Sequence, residues 1–378
     1  MRLKVSVVAA AALLVAAVTG PVSPARADSF RADQWYLKSL DVPRAHAIST
    51  GAGVIVGLVD TGAYPHPDVQ RNLLSGTDLI PGESGDGRSD KDGHGTEMAA
   101  LIAAHGRGAD DGVLGIAPSA KVLPIKTSND GNKAPSKEIG DGMRWAVDQK
   151  ASVINVSAAV GPAFDIEDAA AAAAKADVVV VAGVGNTATS AIIGYPAAIE
   201  GVLAVGATDR SGKHAALSVK DSKVQICAPG VDITTAAPPK KYVDVDGTSA
   251  ATAIVSGAVA LVRAKFPSLS APEVVHQLTA TADDIGPPGK DKECGFGRLN
   301  LVKALTADVP PLKGTSASAK PGEGSTPPTT TSTAGTAPSA GADPASNNMP
   351  LVIGGVLVGL AVAGGLVAAL IFRRRRSF

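Results

Sequence analysis

The sequence predicts an α/β protein, a three-layer αβα sandwich around a mostly parallel sheet, and three observations predict it. Short runs rich in Val, Ile, Leu and Ala recur at 54–59, 122–126, 153–157, 178–182 and 202–205. They are apolar along their whole length instead of at alternate positions, so both faces of the sheet they form need cover. Helical patterns at 136–149 and 165–175 lie between consecutive runs and supply that cover.

In chain order, Arg2 and Lys4 precede an apolar run at 5–18, and Ala25-Arg26-Ala27 follows as a small-x-small cleavage site. Residues 1–27 therefore read as a signal peptide, with the mature chain starting at Asp28. A short N-terminal extension, 28–50, leads into one folded domain over 51–307, a size that a 378-residue chain with 45% hydrophobic content supports. Within it a helix starts near His94, another runs to Phe266 and is closed by Pro267, and Ser270-Ala271-Pro272-Glu273 is a capping box with Pro in the first turn. Residues 308–350 change to Pro, Thr, Ser, Ala and Gly, a composition that cannot bury enough apolar surface to offset ordering, and read as a linker. An uncharged run of 22 residues at 351–372 is long enough, at about 1.5 Å per residue, to span a bilayer as a helix. Arg373 to Arg376 in the tail 373–378 then place that end in the cytoplasm and everything upstream outside. The expectation is a single-pass protein of the cell membrane with an extracellular folded domain. Lys plus Arg equals Asp plus Glu at 35 each, so no overall field favours nucleic acid.

The two cysteines, Cys227 and Cys294, form the only possible intrachain pair, and an exported chain permits a disulfide. Two buried thiols are the alternative at this stage, since the sequence alone does not supply the geometry.

Three motifs fall at turns between the elements. Val59-Asp60-Thr61-Gly62 ends an apolar strand in a carboxylate. Asp92-Gly93-His94-Gly95-Thr96 carries an imidazole into a helix between two glycines that allow close approach, a setting none of the other five histidines has. Gly247-Thr248-Ser249-Ala250-Ala251 starts a helix at a serine, which is commonly only an N-cap, yet free N–H groups there also suit a developing negative charge.

Asp60, His94 and Ser249, in that order and separated by 34 and 155 residues, make the chain resemble the subtilisin family of serine proteases, peptidase family S8. The resemblance implies an αβα subtilisin-like fold and endopeptidase activity without a cofactor. Ser249 would be the nucleophile, His94 its base and Asp60 the residue that holds His94. Asn186, in Val184-Gly185-Asn186, matches the family's oxyanion asparagine. The peptide substrate would pair with Ser157, Ala158 and Ala159 on one side and with Gly183, Val184 and Gly185 on the other. Small residues there suggest a roomy, uncharged pocket for the residue before the cut. After Ser249 the chain departs from the family's bulky residue followed by Ala-x-Pro-His, and Glu97 stands where a histidine is usual. Cys-Ala-Pro-Gly at 227 and Cys-Gly-Phe-Gly at 294 lie in segments that are neighbours in this fold, so a disulfide is expected. The short pairs Asp90-x-Asp92 and Asp244-x-Asp246 do not extend into an EF-hand loop, and no metal is expected.

The interval 28–50 is too short for a folded prodomain. Signal peptide, short extension containing Asp33-Gln34-Trp35-Tyr36-Leu37, catalytic domain, Pro/Thr-rich linker and terminal helix with a basic tail together resemble the mycosins, membrane-anchored proteases of type VII secretion systems. That resemblance implies association with the secretion membrane complex besides a polypeptide substrate. A general cell-surface protease and a catalytically silent scaffold are the other readings. Broad cleavage of unfolded protein would mark the first and a broken triad the second.

Overall fold

The computed structural model describes residues 30–312 apart from 109, 132 and 134. The expected signal peptide, nearly all of the linker, the apolar run 351–372 and the basic tail lie outside the described residues. Among the described residues no helix is long and apolar enough to cross a membrane.

The apolar runs become a seven-stranded, all-parallel sheet in the order β2-β3-β1-β4-β5-β6-β7. Its strands are β1 (Ile55–Asp60), β2 (Thr77–Asp78), β3 (Lys121–Lys126), β4 (Val153–Val156), β5 (Val179–Gly183), β6 (Leu203–Thr208) and β7 (Ile226–Pro229). β4 to β7 are buried at every residue, as strands covered on both faces must be. From β1 the chain forms the outer strand β2, returns as β3 between β2 and β1, then crosses to the other side of β1 to add β4 to β7 in order. The reversal opens a crevice at the carboxyl end of β1, where open α/β sheets place their sites, and Asp60 is the last residue of that strand.

Three short helices, α1 (Phe30–Asp33), α2 (Trp35–Ser39) and α3 (Val42–His46), precede the sheet. α4 (His94–Ala103), α7 (Thr248–Lys265), α8 (Ala271–Ala280) and α9 (Leu301–Thr306) share one apolar cluster with one face of the sheet. α5 (Ser136–Asp148) and α6 (Phe164–Lys175) share the other. α7 is buried from Ala250 through Arg263, so the run of Ala, Val and Thr that follows Ser249 is the interior of a central helix. The Ser270 N–H donates to the Glu273 carboxylate while the Ser270 side chain pairs with the Glu273 backbone, forming the predicted capping box of α8.

The segment before the sheet is bound into the domain. Tyr36 is fully buried and donates to the carbonyl of Thr234, in a two-stranded antiparallel ribbon of β8 (Ile233–Ala237) and β9 (Lys241–Val245). Phe30 stacks on Tyr242 of that ribbon with ring centroids 3.9 Å apart. The Gln34 amide exchanges two hydrogen bonds with the backbone of Leu114, and the Trp35 indole donates to the Asp232 carbonyl. Each of these helices is only four or five residues long, below the length that is stable alone, so packing holds them.

Cys227, in β7, and Cys294 form a disulfide across 67 residues, with Cα atoms 5.0 Å apart. Closing a loop of this size in the unfolded chain is worth about 4 kcal/mol. Replacing both cysteines by alanine is expected to lower unfolding free energy by about that amount, read by urea denaturation against the oxidised parent.

Candidate active site

The site is assembled where β1 ends and α4 begins. Gly93 precedes α4 with φ of 107°, a left-handed conformation that side chains resist. A Cβ added to Gly95 would stand 1.9 Å from the carbonyl oxygen of Gly62, so only glycine lets helix and strand end approach this closely.

Asp90 locks that approach. It is buried, and its carboxylate accepts from the Thr61 hydroxyl (2.9 Å), Gly93 N (2.8 Å), Thr96 N (2.8 Å) and the Thr96 hydroxyl (2.6 Å). The Thr61 hydroxyl in turn accepts from Gly95 N at 2.9 Å. One carboxylate thereby joins the residue after Asp60 to the first turn carrying His94. Burial, with the nearby charge of Asp60, pushes the Asp90 carboxyl up, and its hydrogen bonds from Thr96 and Gly93 oppose that shift.

Within this frame His94 Nδ1 lies 2.7 Å from Asp60 Oδ1, which also accepts from Thr61 N at 2.8 Å. The Asp60 side chain is 3% exposed and that of His94 24%. Burial alone would lower the imidazole pKa, but Asp60, by charge and hydrogen bond, and then the charges of Glu97 and Asp92 outweigh it and raise it to about 9. Glu97, one turn further along α4, is pushed up to about 6 by burial, with His94 pulling it the other way.

His94, Ser249 and Asn186 line one cavity of about 390 Å³ together with Ser157, Ala158, Ala159 and Gly185. No residue of 30–50 lines it, so the docked N-terminal segment leaves the cleft open. The Ser249 hydroxyl donates to the Ser157 carbonyl at 3.2 Å instead of to His94. Asn186 Oδ1 accepts from the backbone and hydroxyl of Thr248 at 3.0 and 3.2 Å. That fixes the amide's orientation, and Asn186 Nδ2 has no partner among the described residues. Asn155, fully buried, donates to the Ser157 hydroxyl and accepts from Ser256 of α7, tying the end of β4 to the helix that bears Ser249.

Gly183 and Val184, also expected to pair with substrate, are not among the residues that line this cavity. Val184 is fully buried and its N–H pairs with Val205, while Gly183 faces Thr252 and Thr248 of α7. The pocket beside Ala159 is also tighter than small residues alone suggest. A Cβ on Gly194 would meet the Ala159 Cβ at 2.9 Å and one on Gly185 would meet it at 3.2 Å, so the backbones have closed in on that methyl. Asp90 went unrecognised in the sequence as the brace of the site; its only signal was an Asp three residues before a glycine that opens a helix. Among the described residues no group of three or more His, Cys, Asp or Glu side chains could hold a metal ion.

A model of the subtilase family matches residues 51–297. Subtilisin BL of Lederbergia lenta is 37% identical over 254 residues, covering 67% of this chain and 92% of its own. Among solved structures, MycP1 with its N-terminal propeptide removed superposes with a TM-score of 0.66 at 28% identity, over 73% of this chain and 98% of that one. The MycP3 protease from the type VII (ESX-3) secretion system gives 0.61 at 31% identity, over 72% and 88%.

Asp90→Ala leaves Gly93 N and Thr96 N without their acceptor, and buried donors stranded in this way cost about 1–3 kcal/mol each. The variant is expected to lose about 3 kcal/mol or more in urea unfolding, together with most of its activity on a peptide substrate. Parent-like stability would show that the four hydrogen bonds do not hold the site.

Proposed function

The chain belongs to the subtilase family, and from that premise we propose the roles of its clustered residues and the setting in which it works. The protein is a subtilisin-like serine protease, and its substrate is polypeptide. The observation that carries the assignment of roles is the 2.7 Å Asp60–His94 hydrogen bond opening onto the cavity that holds Ser249 and Asn186. Rotation about its Cα–Cβ bond releases the Ser249 hydroxyl from the Ser157 carbonyl and turns it toward His94 Nε2. Ser249 Oγ attacks the scissile carbonyl as His94 takes its proton, and Asp60 holds the Nδ1–H tautomer and the imidazolium that forms. Asn186 Nδ2 and the Ser249 N–H donate to the developing oxyanion. In subtilisin itself loss of one such donor costs about 2.7–4 kcal/mol. His94 then protonates the leaving amine, and water, deprotonated by the same imidazole, frees the acyl group from Ser249.

The finer reading is a mycosin of a type VII secretion system, with its catalytic domain outside the cell and 351–372 as its single membrane span. Support comes from the likeness to the MycP1 and MycP3 structures, the short N-terminal segment bound over the domain, and the apolar run followed by four arginines.

His94 must be unprotonated to accept the serine's proton, so a raised pKa moves the rising limb of activity upward. Labelling of the full-length protein by a fluorophosphonate is expected to accelerate with pH around a midpoint near 9 and to vanish in Ser249→Ala. A midpoint at 6.5, the ordinary histidine value, would contradict the Asp60–His94 coupling. Affinity purification from detergent-solubilised membranes is expected to recover components of a secretion membrane complex with the protein. Recovery of the protease alone from membranes that contain that complex would overturn the mycosin reading.

A further inference from the structure

The cavity has two chemically different halves. On the side of the strand ends β4 and β5 its lining is uncharged: Ser157, Ala158, Ala159, Val160, Gly185 and Thr189. On the side of α4 and the end of β9 it contains Asp92, Glu97 and Asp246, and the lining has no lysine or arginine. The three carboxylates are not equivalent. Asp92 and Asp246 are exposed and already accept from backbone N–H groups, of His94 and Asp232 respectively. Glu97 is half-buried, and its carboxyl oxygens accept no hydrogen bond from any described residue. A half-buried carboxylate without a donor is an unmet demand inside a substrate cleft.

Its place says what would meet the demand. His94 and Glu97 are three residues apart on α4 and so lie on one face of the helix. The amine released from the scissile bond receives its proton from His94, so the part of the substrate after the cut leaves past α4, away from the uncharged half. We propose that Glu97 is a specificity-determining residue that selects a basic side chain, lysine or arginine, in the first two positions after the scissile bond. This rests on the proteolytic reading above. A guanidinium or ammonium there would donate to Glu97, with the exposed charges of Asp92 and Asp246 adding to the attraction. An acidic side chain would meet three carboxylates of its own sign. Hydrogen bonds to charged groups discriminate by roughly 10- to 100-fold, the preference expected between lysine and glutamate.

The test is cleavage of a degenerate peptide library by the full-length protein, with the residues on each side of every cut identified by mass spectrometry. Glu97→Gln and Glu97→Lys are run beside the parent. The proposal expects lysine and arginine to be enriched after the cut for the parent, the enrichment to collapse for Glu97→Gln, and acidic residues to take their place for Glu97→Lys. If Glu97 acted only by raising the pKa of His94, both variants would change the rate on all sequences alike and leave the residues after the cut unchanged. That outcome, or cleavage by the parent with no basic enrichment, overturns the proposal. Absence of cleavage and of fluorophosphonate labelling in the parent would instead bring down the proteolytic reading, and this inference with it.

Discussion

The hydrogen bond between Asp60 and His94 joins the end of a central strand to the start of a helix, and the surrounding architecture is arranged to make that joint possible. The strand order reverses beside β1, which opens the crevice; Gly62 and Gly95 let strand end and helix touch through bare backbone; Asp90 fastens the two from beneath. In a positioned proton transfer, a misplacement on the order of an ångström can cost about a hundredfold in rate, which is what these supports guard against. The disulfide and the docked N-terminal helices act further away, holding the sheet edge at β7 and the β8–β9 ribbon against the frame.

Electrostatics at the joint pull in two directions. Burying His94 favours its neutral, base form, whereas Asp60, Glu97 and Asp92 favour the imidazolium, and the carboxylates win. The same carboxylates that raise the imidazole pKa also stabilise the imidazolium that forms in the transition state. Glu97 contributes to that balance while facing the cleft, which is why substitutions there have to be separated by their effect on sequence preference as well as on rate.

Much of this was legible in the sequence because both the sheet and the motifs leave local marks. Continuous apolar runs gave five strands within a residue or two except that β6 continues to Thr208, and Ser270 with Glu273 marked the start of α8. The three motifs were readable because each combines a reactive side chain with residues that permit tight turns. The ribbon β8–β9 escaped notice because β9 is partly exposed and carries Lys241 and Asp244 among its apolar residues, and the helices of 30–46 escaped because their stability lies in contacts with residues 80 to 200 positions away. Val184 is buried in the core by its side chain, so any pairing with substrate there falls to its backbone, which a motif match alone does not reveal. Asp90 is recognised as a brace only when Thr61, Gly93 and Thr96 are seen around it.

The most direct test of the account is the proton on His94 Nδ1. In ¹H NMR of the intact protein, the account predicts a strongly downfield imidazole N–H resonance that Asp60→Asn removes, with the ring titrating near 9. A ring that titrates at 6.5 with no downfield signal, or a signal indifferent to Asp60, would contradict it.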